Sequence, residues 1–151
     1  MESQTRVLPP EVLIPELLAL LEQTPSVPLT ISGYSMTPFL AHGRDTVFLS
    51  KVTRPLKKGD MILYQRTSGQ YVLHRICRVH PDCFDLVGDA QTEIETGIRP
   101  EQVLAVVNAV RRKGRLLKKG DFRWDVFEHV WLRMIPLRPL ACRIYGRLFH
   151  H

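Results

Sequence analysis

Three residue types, well separated along the chain, could together do acyl-transfer chemistry. They are Ser35 in "ISGYSMTPFL", His74 in "YVLHRI", and an acidic stretch holding Asp89, Glu93 and Glu95. A serine hydroxyl is a weak nucleophile at neutral pH. It needs a base within hydrogen-bond reach and donors for the oxyanion that forms. Gly33 allows a tight turn and the close approach of a substrate backbone. Met36 follows the serine directly, and Pro38 stiffens the exit of the turn. His74 is the candidate base. Period-two alternation in "VLHRI" puts it on the face of Val72 and Ile76, with Leu73 and Arg75 opposite. A titratable imidazole on a mostly apolar face suits a general base, although an ordinary half-buried histidine has the same signature. One acid of the third stretch could accept a hydrogen bond from His74 and fix its tautomer. The constrained Gly88-Asp89 turn favours Asp89, with Glu93 and Glu95 as alternatives. The competing view of these acids is a solvated loop.

The elements that must hold these residues are mostly strands. Pro9-Pro10 opens a helix over about 10–23, with Leu13, Ile14, Leu17, Leu18, Leu20 and Leu21 on a helical period. Pro25 and Pro28 end it. From there to about residue 110 the pattern is strand and turn. "PLTIS" leads into the Ser35 turn, and "DTVFLSKV", "KKGDMILYQ", "GQYVLHRICRV" and "CFDLVGD" follow as strands. "QVLAVVNAVRR" is a further strand, and "RLLKK" pairs back on it through the "RKG" turn. Two amphipathic helices are predicted at 123–134 and 137–149, separated by Pro136. The expected organisation is a single domain over 1–151, with a β core at about 28–120 and a helical segment at about 123–150.

Composition narrows the function classes. The chain of 151 residues is 44% hydrophobic and 24% charged, as in globular proteins large enough for a real core. No apolar run is long enough to span a bilayer, and the N-terminus lacks the basic lead of a signal peptide. Cys77, Cys83 and Cys142 are too few and too scattered for a disulfide framework or a zinc site, so reduced thiols and no metal or other cofactor are expected. Residues 1–110 hold 10 basic and 12 acidic residues, whereas 111–151 hold 11 and 3. Such a basic tail suits an anionic surface. In "PLRPLACRIYGRLFHH" an apolar stripe of Leu137, Leu140, Ile144, Tyr145 and Leu148 is flanked by Arg138, Arg143 and Arg147. It either packs on the β body or lies in the interface of an anionic membrane. "RRKGRLLKK" has too little aromatic interleaving for a nucleic-acid site.

The order of the motifs carries a resemblance. "SGYSMTPFL", "KKGDMILY", "YVLHRI" and "LVGDAQ" resemble, in order and approximate spacing, the type I signal peptidase superfamily, which also contains the self-cleaving SOS-type repressors. The base is Lys in the common bacterial enzymes and His in the archaeal and endoplasmic-reticulum type, and "LHRI" is similar to the His type. The resemblance covers about residues 28–110. It implies a coiled, β-barrel-like domain and a serine endopeptidase with a Ser35–His74 dyad, acting on a peptide or protein precursor without a cofactor. Family signal peptidases carry N-terminal membrane helices, and this chain offers only a short amphipathic one. The expected location is therefore cytoplasmic, with peripheral membrane contact through the basic C-terminal helix. Many Lys-type enzymes have an oxyanion-binding serine where Gly33 stands, so backbone N–H groups near Gly33 and Met36 would take that role. Two other functions compete: an inactive peptide-binding or regulatory module of the same fold, and a nucleic-acid-associated accessory domain.

Overall fold

The computed structural model describes residues 10–30, 36, 39, 40, 43–90, 92–118 and 121–126. Ser35, Gly33, the expected helical segment from residue 127 onward, including all of 137–149, and the membrane contact expected of it lie outside the described residues. Helix α1 spans Pro10–Leu20 and buries Ile14 and Leu17. It ends three residues earlier than the apolar period suggests. The Leu20 carbonyl there accepts from both the backbone N–H and the hydroxyl of Thr24, at 3.0 and 2.9 Å, which closes the last turn ahead of Pro25.

Among the described residues eight strands follow: β1 (Val27–Thr30), β2 (Thr46–Ser50), β3 (Met61–Gln65), β4 (Tyr71–Val79), β5 (Phe84–Val87), β6 (Glu95–Ile98), β7 (Val103–Arg112) and β8 (Arg115–Lys118). A single turn of helix, α2, covers Phe122–Asp125. The strands form one antiparallel sheet in the order β1-β2-β7-β3-β4-β5-β6, with β8 added to β7. This corrects the barrel-like expectation, because the sheet is open. Its end strands β1 and β6 are four residues each and do not pair with one another. The long strand β7 branches instead. On one side it pairs with β2, and on the other with β3 near Val103–Val106 and with β8 near Ala109–Arg112.

Apolar side chains cover both faces of the sheet. The first cluster joins Ile14 and Leu17 of α1 to Val47, Leu63, Val107 and Phe39. The second, on the opposite face, contains Ile62, Tyr64, Ile76, Leu86, Ile98 and Val106. A strand covered on both sides has no solvent face for its polar residues, and β4 is such a strand in its middle. His74 and Arg75 are consecutive, point to opposite faces and are both buried, at 4% and 0% exposure.

A buried guanidinium must be neutralised where it lies. Arg75 donates from Nε and Nη2 to the two oxygens of Asp89, both at 3.0 Å, and from Nη1 to the Gly59 carbonyl at 2.9 Å. Its guanidinium also sits 5.4 Å from the centroid of the Phe39 ring. Removing one partner from such a pair strands the other charge out of water. Asp89→Ala is therefore expected to lower the unfolding free energy by about 3–5 kcal/mol in urea denaturation. Glu22→Ala breaks an exposed pair that is shorter, at 2.6 Å to Lys51, and should cost no more than about 1 kcal/mol.

Candidate active site

A cleft of about 540 Å³ opens beside β4, lined by Arg66, His74, Ala90, Thr92, Glu93, Ile94 and Glu95. His74 contributes its imidazole from the second-cluster face, as its register opposite Ile62 and its place two residues before Ile76 require. Among the described residues, the one hydrogen-bonding partner of the ring is the Tyr64 hydroxyl, 3.3 Å from Nδ1. Tyr64 reaches this position because β3 pairs with β4 in register, with Tyr64 opposite Val72 and Ile62 opposite His74. Tyr64 and His74 are thus diagonal neighbours on one face, with ring centroids 6.1 Å apart.

Beyond Tyr64 the contacts are ionic. The Tyr64 hydroxyl donates to Glu95 Oε2 at 2.7 Å. Arg66 grips the same carboxylate, with Nη2 at 2.8 Å from Oε2 and Nε at 3.1 Å from each oxygen. Arg66 is itself held by the turn that joins β3 to β4, donating from Nη1 to Gln70 Oε1 at 2.7 Å. Glu95 depends on an irregularity in β6. Leu86 pairs with Glu95 and Phe84 with Ile98, so Thr96 and Gly97 together lie opposite the single residue Asp85. Residues three apart on a regular strand face opposite ways; the extra residue turns both Glu95 and Ile98 to the second-cluster face. Gly97 has φ +74°, a left-handed conformation that favours glycine.

The electrostatics follow from burial and from these partners. Desolvation, aided by the nearby Arg66 charge and only partly opposed by Glu95, pushes the His74 pKa down from 6.5 to about 4. The imidazole is therefore neutral at pH 7. Burial, and then the hydrogen bond to Glu95, push the Tyr64 phenol above its ordinary range, so it keeps its proton. Partial burial alone would raise the Glu95 carboxyl. The hydrogen bonds from Arg66 and Tyr64 and the Arg66 charge outweigh that and hold it below the usual carboxylate range.

The sequence candidates divide between the two sides of the sheet. His74, Glu93 and Glu95 meet at the cleft, with Glu93 exposed at its wall and Glu95 joined to His74 through Tyr64. Asp89, the acid favoured from the turn chemistry, has both its oxygens bound to Arg75, whose side chain leaves β4 on the face opposite His74. Met36 is buried in the first cluster with Phe39 and Leu40. Its carbonyl accepts from Leu40 N at 2.9 Å, and Arg112 Nε donates to the Phe39 carbonyl at 2.7 Å. Met36, Phe39 and Leu40 are thus tied to the first cluster and to β7. Tyr64 and Arg66 were not among the sequence candidates. Tyr64 in "MILYQ" has the look of a core aromatic, and the one available hint is that a buried phenol needs a polar partner. Cys77 and Cys83 are half-buried thiols, and Cys77 Sγ donates to the Asp85 carbonyl at 3.3 Å. Among the described residues no three His, Cys, Asp or Glu side chains converge as metal ligands would, and no helix is long and apolar enough to cross a membrane.

The depressed His74 pKa has a signed consequence for stability. Between pH 6.5 and 4 the unfolded chain carries a proton on this residue that the folded chain does not, so stability falls as the pH is lowered through that window. The full loss is roughly 3 kcal/mol, and near pH 5.5 unfolding should take up close to one proton on account of His74. His74→Gln should remove that proton from the slope of unfolding free energy against pH. An unchanged slope would mean that His74 titrates normally in the folded protein.

No protein-family model, curated protein or solved structure matches this chain.

Proposed function

We propose that the chain is a serine endopeptidase on a signal-peptidase or repressor-cleavage type of fold, with Ser35 as nucleophile and His74 as general base. The observation that supports this most is the state of His74, a buried imidazole that is neutral at pH 7 and lines an open cleft. A general base must be unprotonated at working pH and reachable by substrate, and His74 meets both conditions. Among the described residues its Nε2 has no hydrogen-bonding partner, so that nitrogen is available to take a proton. The order "SGYSM" then "LHRI" supplies the nucleophile.

In this mechanism Ser35 Oγ attacks the carbonyl carbon of a peptide bond while its proton passes to His74. The oxyanion is held by backbone N–H groups of the Ser35 turn. The C–N bond breaks as His74 returns the proton to the departing amine, leaving an acyl ester on Ser35. A water molecule, deprotonated by His74, then hydrolyses the ester, and the proton returns to Ser35. The reading imposes a geometric condition. Met36 is anchored in the cluster on the Arg75 face, so the reading requires the hydroxyl of its neighbour Ser35 to meet the imidazole on the other face.

The test uses a fluorophosphonate, which modifies only activated serines. The full chain should acquire one adduct, located by mass spectrometry on Ser35. Ser35→Ala should acquire none, and His74→Gln should react about 10²–10⁴ times more slowly. Absence of any adduct on the wild-type chain would overturn the peptidase reading and leave a peptide-binding module.

A further inference from the structure

We propose that Tyr64, clamped by Glu95 and Arg66, is a positioning residue that fixes the tautomer of His74, with the proton on Nδ1 and the lone pair on Nε2. The argument is a count of protons. A phenol has one proton to donate and lone pairs to accept with. Glu95 is bound by the Arg66 guanidinium and is ionised, so it only accepts. The 2.7 Å contact between Tyr64 Oη and Glu95 Oε2 is therefore a charge-assisted bond that uses the phenol proton. What Tyr64 then presents to His74 is a lone pair. The 3.3 Å contact to Nδ1 is a hydrogen bond only if Nδ1 carries a proton and donates it. The other tautomer would set the Nδ1 lone pair against a phenol oxygen whose one proton is already committed to Glu95.

His74 is neutral, so a proton on Nδ1 leaves none on Nε2. In a serine–histidine–acid site a carboxylate makes this choice by direct contact with the imidazole. Here the carboxylate is one group further away, and a phenol carries its preference inward. The arrangement keeps the ionised carboxylate partly exposed, where Arg66 and solvent stabilise it, while the imidazole stays buried and neutral. Arg66 fixes the direction of the relay, since without it Glu95 could be protonated and donate.

The use of Nε2 as a base rests on the peptidase reading above; the tautomer does not, and the experiment separates the two. The full chain, labelled with ¹⁵N at histidine, is observed near pH 7 by long-range ¹H–¹⁵N correlation, with the His74 signals assigned by comparison with His74→Gln. Nδ1 should show a pyrrole-type shift and Nε2 a pyridine-type shift. Tyr64→Phe keeps the ring and deletes the acceptor, and should move His74 toward the Nε2-protonated form that free histidine favours. A wild-type spectrum with the proton on Nε2 would overturn the inference without any variant. So would a folded Tyr64→Phe variant with an unchanged tautomer. If the tautomer behaves as expected and Ser35 is not phosphonylated, the relay stands and the peptidase reading falls.

Discussion

Strand β4 is covered by apolar side chains on both faces, yet its middle holds a histidine and an arginine in sequence. The rest of the architecture answers that constraint. Arg75 cannot be hydrated, so the chain brings Asp89 and the Gly59 carbonyl to it. Those two contacts join the turn after β5 and the turn before β3 to the centre of the sheet. His74 is buried as well, but it needs no counter-charge, because burial keeps it neutral. One polar residue is thus retained as a charge and neutralised, and the next is retained as a neutral base. The difference follows from intrinsic basicity. A guanidinium keeps its proton even when buried, whereas an imidazole releases its own at modest cost.

The two faces also separate two tasks. On the Arg75 face the Arg75 guanidinium over the Phe39 ring and the Arg112 contact to the Phe39 carbonyl hold Phe39 in place. On the His74 face the chain Gln70–Arg66–Glu95–Tyr64–His74 fixes the imidazole. The second network relies on a local departure from regular strand geometry. Without the extra residue opposite Asp85, either Ile98 would leave the second cluster or Glu95 would leave Tyr64. Gly97 supplies the left-handed conformation at that point.

Much of the sheet was legible in the sequence, for physical reasons that also mark where legibility ended. The alternation in "VLHRI" places His74 and Arg75 on opposite faces, and the structure has them so, because side-chain period is a property of the strand itself. The strands "DTVFLSKV", "KKGDMILYQ", "CFDLVGD" and "QVLAVVNAVRR" stand out by β-branched and apolar content. Strand β6 did not stand out. "ETGI" has a glycine, one apolar residue and no period of two, because its irregularity is the feature that makes it useful. Glu95 therefore looked like one acid among three in a loop. The choice between Asp89 and Glu95 depends on which neighbour each carboxylate meets across the sheet, and a linear spacing does not contain that information. Tyr64 was hidden for the same reason. Sheet closure was illegible as well, since it depends on whether two short end strands meet.

The central claim is that Ser35, next in sequence to a methionine buried on the Arg75 side of the sheet, meets His74 on the other. The most direct measurement is a crystal structure of the full chain, read for the distance from Ser35 Oγ to His74 Nε2. The account predicts direct hydrogen-bond contact, about 2.6–3.2 Å, or a single bridging water. A Ser35 hydroxyl that follows Met36 into the first cluster, with the sheet between it and the imidazole, would contradict it.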